Sequence, residues 1–203
     1  FDLEGLQAAQ SGYLDALVSE IANICEHIPH EDLAIQLDSS WEITDVYGET
    51  DLPAAGAFER NLKQYSVICE AVPIDVQLGV HLCFGTFGGW PRFAPIDLGE
   101  AVSLTIGIAH SSSRMVDWIH IPTLDTLDEA FYAPLVRLEG IATKIYLGMI
   151  HSMDSFEERL AVARKFLSSF GIAAYCGFGR LTRAEMDGIV EDHLKALDVW
   201  KGA

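Results

Sequence analysis

The strongest constraint on the fold of this chain is a regular alternation of apolar, strand-like runs with longer amphipathic segments. An opening helix is predicted over residues 3–28, and Pro29 ends it. Strand and helix then follow one another five times. This alternation predicts an α/β fold, with a parallel sheet covered by helices. The 203 residues are enough for one domain with a substantial core, and no linker divides them.

The pattern places five strands and five helices after the opening helix. The strands are predicted at residues 33–37, 76–85, 115–121, 143–150 and 172–175. The helices that follow them are predicted at residues 54–72, 97–112, 127–139, 156–169 and 182–197. Asp97 is expected to cap the second of these helices, and Thr182 with Glu185 is expected to form a capping box at the last.

Every predicted strand ends at or just before a side chain that can titrate or bind a metal. These side chains are Asp38, His81 with Cys83, His120, His151 and Cys176. The carboxyl ends of parallel strands meet at one edge of the sheet, and in α/β proteins that edge carries the chemistry. The sequence therefore predicts an active site at this edge.

A metal site is predicted from His81 and Cys83, which are two residues apart. Side chains two apart on a strand point to the same face, so an imidazole and a thiol would lie side by side. Cys176 follows another apolar run and precedes glycines, which makes it the candidate third ligand. Three protein ligands suffice for a catalytic zinc site. The alternative is a polar pocket without metal, since buried cysteines are commonly inert.

Composition excludes some partners. The formal net charge is −17, which disfavours binding to nucleic acid or to anionic lipid. No run is apolar and long enough to span a bilayer. The four cysteines are widely spaced, unlike those of a small disulfide scaffold, so we expect a reducing, cytoplasmic location. The chain begins at Phe1, so we expect it to be processed or excerpted from a longer one.

These segments resemble the C-terminal catalytic barrel of cobalamin-independent methionine synthase, in a superfamily that includes uroporphyrinogen decarboxylase. In the synthases, a strand ending in His-x-Cys and a late strand ending in Asp-Cys-Gly bind the catalytic zinc. The matching segments here are His81-Leu82-Cys83 and Tyr175-Cys176-Gly177. The resemblance implies that residues 1–203 are a single domain, the C-terminal five strand–helix units of a (βα)8 TIM barrel. The N-terminal strands would lie outside this sequence.

Other segments match the same family in the same order. Ile35-Gln36-Leu37-Asp38 is similar to the strand whose Asp holds the substrate amino acid, although capping of the next turn is the alternative role for Asp38. Ile150-His151-Ser152 is similar to the segment whose His transfers protons, so general acid–base chemistry is favoured for His151. Arg183 fits the tail Cys-Gly-Leu-Lys-Thr-Arg of the family, which makes it a candidate substrate contact. Glu42, which lies near Asp38, and Trp90, in the aromatic loop, are two further candidates.

Two positions depart from the family pattern. The Glu that serves as fourth zinc ligand aligns with Pro122, which has no ligand atom. His120 lies two residues earlier on the same face and could be a ligand, a substrate contact or a core hydrogen-bonding group; Asp125 is a weaker candidate. The acidic pair of the substrate strand is reduced here to Asp38 followed by Ser39.

Aromatic and basic side chains near the predicted loops have two interpretations each. The aromatic residues either line a flat pocket for a pterin or aromatic substrate or simply cover the barrel mouth, and the covering role is favoured for Trp118; they are Trp41, Phe84, Phe87, Trp90 and Trp118. The scarce cations Arg92, Arg180 and Arg183 either meet a carboxylate of the substrate or form surface ion pairs.

The favoured function is zinc-dependent transfer of a methyl or alkyl group to a thiol, as the resemblance to 5-methyltetrahydrofolate–homocysteine methyltransferase implies. Its partners would be a small-molecule thiol, a methyl donor, and the rest of the barrel in cis or from a partner chain. The first alternative is a metal-independent lyase or decarboxylase on the same barrel. The second is a binding protein without catalysis.

Overall fold

The structure is a computed structural model that describes residues 3–202. Within that range the strands form one five-stranded sheet in the order β1-β2-β3-β4-β5, and all neighbours are parallel. The strands are β1 (Ala34–Ser39), β2 (Gln77–Leu82), β3 (Trp118–Pro122), β4 (Lys144–Ile150) and β5 (Gly171–Ala174). The predicted α/β class and the five predicted strands are confirmed. The closed eight-stranded barrel stays a prediction.

Helices alternate with the strands. They are α1 (Leu3–His27), α2 (Ser40–Val46), α3 (Ala57–Ala71), α4 (Gly99–Ala109), α5 (Glu129–Tyr132), α6 (Phe156–Arg164) and α7 (Arg183–Gly202). Short 3-10 turns occupy His30–Asp32, Ala133–Leu138 and Phe178–Arg180. No helix within residues 3–202 combines the length and the apolar character that crossing a membrane would require.

The structure departs most from the predicted elements at three places. The short helix α2 follows β1 directly and was not predicted. The helix predicted over residues 127–139 is α5 followed by a 3-10 turn, because Pro134 lacks the N–H that a continuing α-helix needs. The third strand was predicted from residue 115 to 121, but β3 begins at Trp118 and includes Pro122, which lies opposite Gly148.

The predicted capping box is present, and Asp97 binds the start of α4 from one residue before the N-cap position, Leu98. The carboxylate of Asp97 accepts a hydrogen bond from the Gly99 amide at 2.7 Å, at the start of α4. Thr182 and Glu185 bind each other reciprocally, with the Glu185 carboxylate 2.7 Å from the Thr182 amide. These bonds satisfy amides that a helix start leaves without an internal partner, and they fix where α4 and α7 begin.

One face of the sheet forms the core. Strand register aligns Leu37, Val80, Ile119 and Ile145 in a row on that face. The last three are buried beneath the helices. Removing a side chain of this size from water contributes about 1.5–3 kcal/mol.

The opposite face carries polar and aromatic side chains. Register aligns Asp38, His81, His120 and Tyr146 in one row there. Alternation along each strand therefore assigns the apolar residues to the core and the candidate site residues to the second face.

Candidate functional site

The site lies at the carboxyl-terminal edge of the sheet. A cavity of about 340 Å³ opens between the segments that follow β1, β2 and β5. Four of the predicted site residues line it, namely Asp38, His81, Cys83 and Cys176. Parallel strands that end at one edge bring together residues from positions 38 to 176 of the chain, as expected for this architecture.

His81, Cys83 and Cys176 form one potential metal-binding group. One ligand atom from each, an imidazole nitrogen and two sulfurs, can be chosen so that all lie within 4.8 Å of one another. The two sulfurs are in contact and are joined as a disulfide, with 6.8 Å between the Cα atoms. We had expected unpaired cysteines. A disulfide and a metal-binding thiolate pair are alternative states of the same two sulfurs, because only thiolates bind zinc well.

The other two cysteines are free thiols away from this group. Cys69 is buried and Cys25 is half-buried. Both lie in helices, as predicted, and Cys69 belongs to the core.

His120 lies beside His81. Their rings stack with centroids 4.6 Å apart, and the two Nδ1 atoms are 2.5 Å apart. Burial, and then the neighbouring His81, lower the pKa of His120 to about 3. Burial also lowers the pKa of His81, and the Asp38 carboxylate opposes that effect. Both rings are thus neutral at pH 7, the form in which an imidazole binds metal, and one must donate its Nδ1 proton to the other.

The contact with His81 helps to distinguish between the three roles considered for His120, which are metal ligand, substrate contact and core hydrogen-bonding group. His120 is not part of the lining of the 340 Å³ cavity. Its Nε2 is buried and has no hydrogen-bond partner among the described residues. With its Nδ1 bound to His81, it is placed to orient the His81 ring, as outer groups commonly orient a metal-binding histidine.

His151 follows β4 and lies in an aromatic stack. Its ring centroid is 5.6 Å from that of Tyr175 and 6.3 Å from that of Trp90. Burial, and then the Arg159 cation, lower the pKa of His151 to about 4, so the ring is neutral at pH 7. Its Nε2 is buried without a hydrogen-bond partner in the described part of the chain. This nitrogen has a free lone pair that can accept a proton, but His151 is not among the residues that line the 340 Å³ cavity.

The loop that carries His151 is held by Arg159, which the sequence did not single out. Arg159 is 1 % exposed. It donates hydrogen bonds to the carbonyls of Ser152 and Asp154, both at 2.7 Å, and it pairs with Asp125. Asp125 is therefore engaged by Arg159, which leaves it a poorer candidate for the fourth ligand. The sequence around Arg159 has no pattern that indicates this role.

Of the four side chains expected to contact the substrate, Asp38 lines the main cavity and the other three do not. Asp38 lines the cavity, and its carboxylate accepts a hydrogen bond from Gln36 at 3.1 Å. Glu42 lies in α2 outside the cavity lining, and burial raises its pKa. Trp90 stacks on His151 and lines a smaller adjoining cavity of about 280 Å³. Arg183 is 94 % exposed and pairs with Asp187 at 3.9 Å.

Arg183 thus lies outside the cavity that it was expected to serve. The capping box begins α7 at Arg183 and leaves its side chain in solvent. Arg92 and Arg180, the other two cations considered, line the main cavity instead.

The aromatic residues also separate into groups. Trp41 and Phe87 line the main cavity and are 52 % and 82 % exposed. Phe84 is fully buried in the core. Trp118 lies on the second face of the sheet, where its indole crosses Gly79 so closely that a Cβ at that position would overlap the ring. Trp118 therefore does not line the main cavity, and the covering role favoured for it stays a prediction.

Fold and site together define an α/β chain with a histidine–cysteine group at the carboxyl edge of a parallel sheet. No family model matches the sequence, and no curated protein matches it. Among solved structures, the chain is similar to the crystal structure of a "putative vitamin-B12 independent methionine synthase" from Listeria monocytogenes, with a TM-score of 0.61. The match covers 97 % of this chain and 55 % of that one. At 14 % identity, this likeness shows the fold alone.

Proposed function

We propose that this chain is the catalytic part of an enzyme that transfers a methyl or alkyl group to a thiol with the help of zinc. The observation that carries the proposal is the convergence of His81, Cys83 and Cys176, whose ligand atoms lie within 4.8 Å beside an open cavity. The fold likeness to a methionine synthase chain adds support. This chain spans only about half the length of that neighbour, so donor, acceptor and partners are part of the proposal.

The donor set fits zinc. Two sulfurs and one imidazole nitrogen are typical zinc ligands, and tetrahedral ligands lie roughly 3.5–3.8 Å apart. Reduction of the Cys83–Cys176 pair would let the sulfurs separate to that spacing within the existing group. Pro122 offers no fourth ligand, which leaves a coordination position for the substrate, as catalytic zinc sites require.

Bound zinc would supply a lower pKa for the substrate thiol, so that the thiol reacts as thiolate at neutral pH. The substrate sulfur then attacks the carbon of the transferred group. A sulfur–carbon bond forms, and the bond from that carbon to the donor breaks with its electron pair going to the donor. His151 is neutral at pH 7 but does not line the main cavity, so the proposal requires that substrate binding bring its Nε2 within reach. That nitrogen would then accept the thiol proton and return it to the donor's leaving atom. Asp38 holds a polar group of the substrate at the cavity wall.

A metal-independent lyase on the same sheet is the second candidate. Two observations favour it: the sulfurs of Cys83 and Cys176 are paired, and Pro122 replaces a ligand of the related zinc site. In that reaction the neutral His151 would act as the base.

Metal content of the full-length protein, purified under reducing conditions and measured by mass spectrometry, tests the proposal. We expect near-stoichiometric zinc, lost in the Cys83→Ser/Cys176→Ser variant. Cys25→Ser is the matched control, since that half-buried thiol lies outside the group. Protein that takes up no metal after zinc is added under reducing conditions would contradict the proposal and favour the lyase.

A further inference from the structure

The main cavity contains two arginines that have no acidic partner. Arg92 and Arg180 line it together with the metal-binding group. The chain has 13 Lys and Arg residues against 30 Asp and Glu residues. Arg137 and Arg164 also have no ion pair among residues 3–202, but they bind the Ser103 hydroxyl and the Trp200 carbonyl and lie outside this cavity. Arg60, Arg114 and Arg159 each pair with an aspartate. Across residues 3–202, neither Arg92 nor Arg180 forms an ion pair. Their charge is therefore available to a ligand.

Arg180 is fixed in place by one end of its guanidinium. Its Nη1 donates to the carbonyl oxygen of Thr86 at 2.6 Å and to the Thr86 hydroxyl at 3.0 Å. This contact joins the segment after β5 to the segment after β2, across 94 residues of sequence. A guanidinium has five N–H donors, so Nε and Nη2 keep theirs for another acceptor.

Arg92 is positioned through its aliphatic stem. A Cβ added at Gly85 would be 3.0 Å from the Arg92 Cβ and 3.3 Å from its Cδ, so the stem lies directly over this glycine. Gly85 also has a φ of +79°, which a side chain would disfavour. The Arg92 amide donates to the Gly85 carbonyl at 3.0 Å. The turn that follows β2 thus holds Arg92 over the segment that carries Cys83.

We propose that this cavity selects an acceptor thiol with a terminal acid group and no amine, a mercaptoalkanoate or mercaptoalkanesulfonate. The inference rests on the thiol-transfer function proposed above. The acid group would bind Arg92 and Arg180, because guanidinium groups match such anions with paired, charge-assisted hydrogen bonds. The sulfur of the acceptor would lie at His81, Cys83 and Cys176 in the same cavity.

The charges of the cavity argue against an amino-acid thiol. Two guanidinium groups repel a substrate ammonium, and Asp38 is the acidic side chain in the lining. The Asp38 carboxylate already accepts a hydrogen bond from Gln36. Ser39, which follows it in the chain, brings no second carboxylate. The cavity lining is therefore better suited to bind the acid group of a substrate than its amine.

Calorimetric titration of the zinc-loaded full-length protein under reducing conditions tests this selectivity. The ligands are 3-mercaptopropionate, 2-mercaptoethanesulfonate, 2-mercaptoethanol, cysteamine and homocysteine. We expect both acids to bind at least about tenfold more tightly than the neutral alcohol, and homocysteine to bind no more tightly than the acids. The ratio between the two acids distinguishes carboxylate from sulfonate recognition. Equal affinity for 2-mercaptoethanol, or a preference for homocysteine, would overturn the proposal.

Variants assign the effect to the arginines. Arg92→Gln should weaken binding of both acids by about tenfold and leave 2-mercaptoethanol unchanged, and Arg92→Lys should restore part of the loss. Arg180→Gln should do the same but also breaks the contact with Thr86, so its thermal unfolding is measured beside it. Arg183→Gln, at an exposed arginine outside the cavity, is the matched control. If Arg183→Gln weakens acid binding as much as Arg92→Gln does, the effect is general electrostatics and the proposal fails.

A metal-free titration separates this inference from the zinc proposal. Ethanesulfonate and propionate have no thiol, so their binding to the reduced apoprotein depends on the arginines alone. Chemical shift changes in NMR that are lost in Arg92→Gln support the acid site even where the protein takes up no zinc. Zinc-loaded protein that binds neither anion retains the proposed function and refutes the acid site.

Discussion

Replacement of Arg159 by Gln should lower the stability of the protein and loosen the loop that carries His151. The variant removes charge-assisted hydrogen bonds to the carbonyls of Ser152 and Asp154. Bonds of this kind contribute about 1.5–3 kcal/mol each. The pair with Asp125 adds little, because that carboxylate is 57 % exposed. We expect a loss of about 3 kcal/mol in the free energy of unfolding, or roughly 6–12 °C in Tm for a chain of this size.

Urea denaturation followed by circular dichroism measures this loss. Arg164→Gln is the matched control on the same helix, since its guanidinium makes one long hydrogen bond, 3.4 Å to the Trp200 carbonyl. The control should lose less than about 1 kcal/mol. If Arg159→Gln is no less stable than Arg164→Gln, the carbonyl contacts do not hold the loop and the reasoning is refuted.

Two further predictions concern charge. The pKa of His151 is about 4 in the fold against an ordinary 6.5, so the unfolded chain binds more protons between these values. The neutral His151 therefore contributes to the free energy of unfolding above about pH 6.5, and this contribution is lost as the pH falls toward 4, by about 2 kcal/mol at pH 5. In urea titrations at several pH values, His151→Asn should reduce the dependence of the unfolding free energy on pH. An unchanged dependence would contradict the argument from burial. Asp45→Asn should cost about 3 kcal/mol, because Asp45 is 1 % exposed and accepts hydrogen bonds from Arg60 and Asn61. Asp187→Asn, in an exposed pair, should cost less than about 0.5 kcal/mol in the same assay, and equal losses would refute the distinction.

The order of strands and helices could be predicted because hydrophobic period and chain breakers are local properties. Pro29 follows α1 closely, and Thr182 with Glu185 begins α7 as expected. Helix α2 has no such local signature. Ser39 precedes it without a capping hydrogen bond from its side chain, and the helix spans only 7 residues. Its form depends on packing, since Ile43, Thr44 and Asp45 are buried.

The site was predictable only where position along a strand decides the outcome. Asp38, His81, Cys83 and Cys176 lie at or just beyond strand ends and line one cavity, whereas His120 and His151, also at strand ends, do not line it. The arginines are different. Arg92 lies in the loop after β2, Arg180 ends a 3-10 turn and Arg183 begins α7, and no local pattern says which of them faces the cavity. Only the path of each loop places two of them in the cavity and the third in solvent.

The distance between Cys83 and Cys176 is informative about the shape of the sheet. These residues follow β2 and β5, which are separated by β3 and β4. Neighbouring strands lie about 4.8 Å apart, so three steps across a flat sheet would span roughly 14 Å. The two Cα atoms are 6.8 Å apart. The sheet and the segments beyond it must therefore curve toward the face that carries His81 and His120, as the strands of a barrel do. The same curvature that would close a barrel is what assembles the histidine–cysteine group from two distant strands.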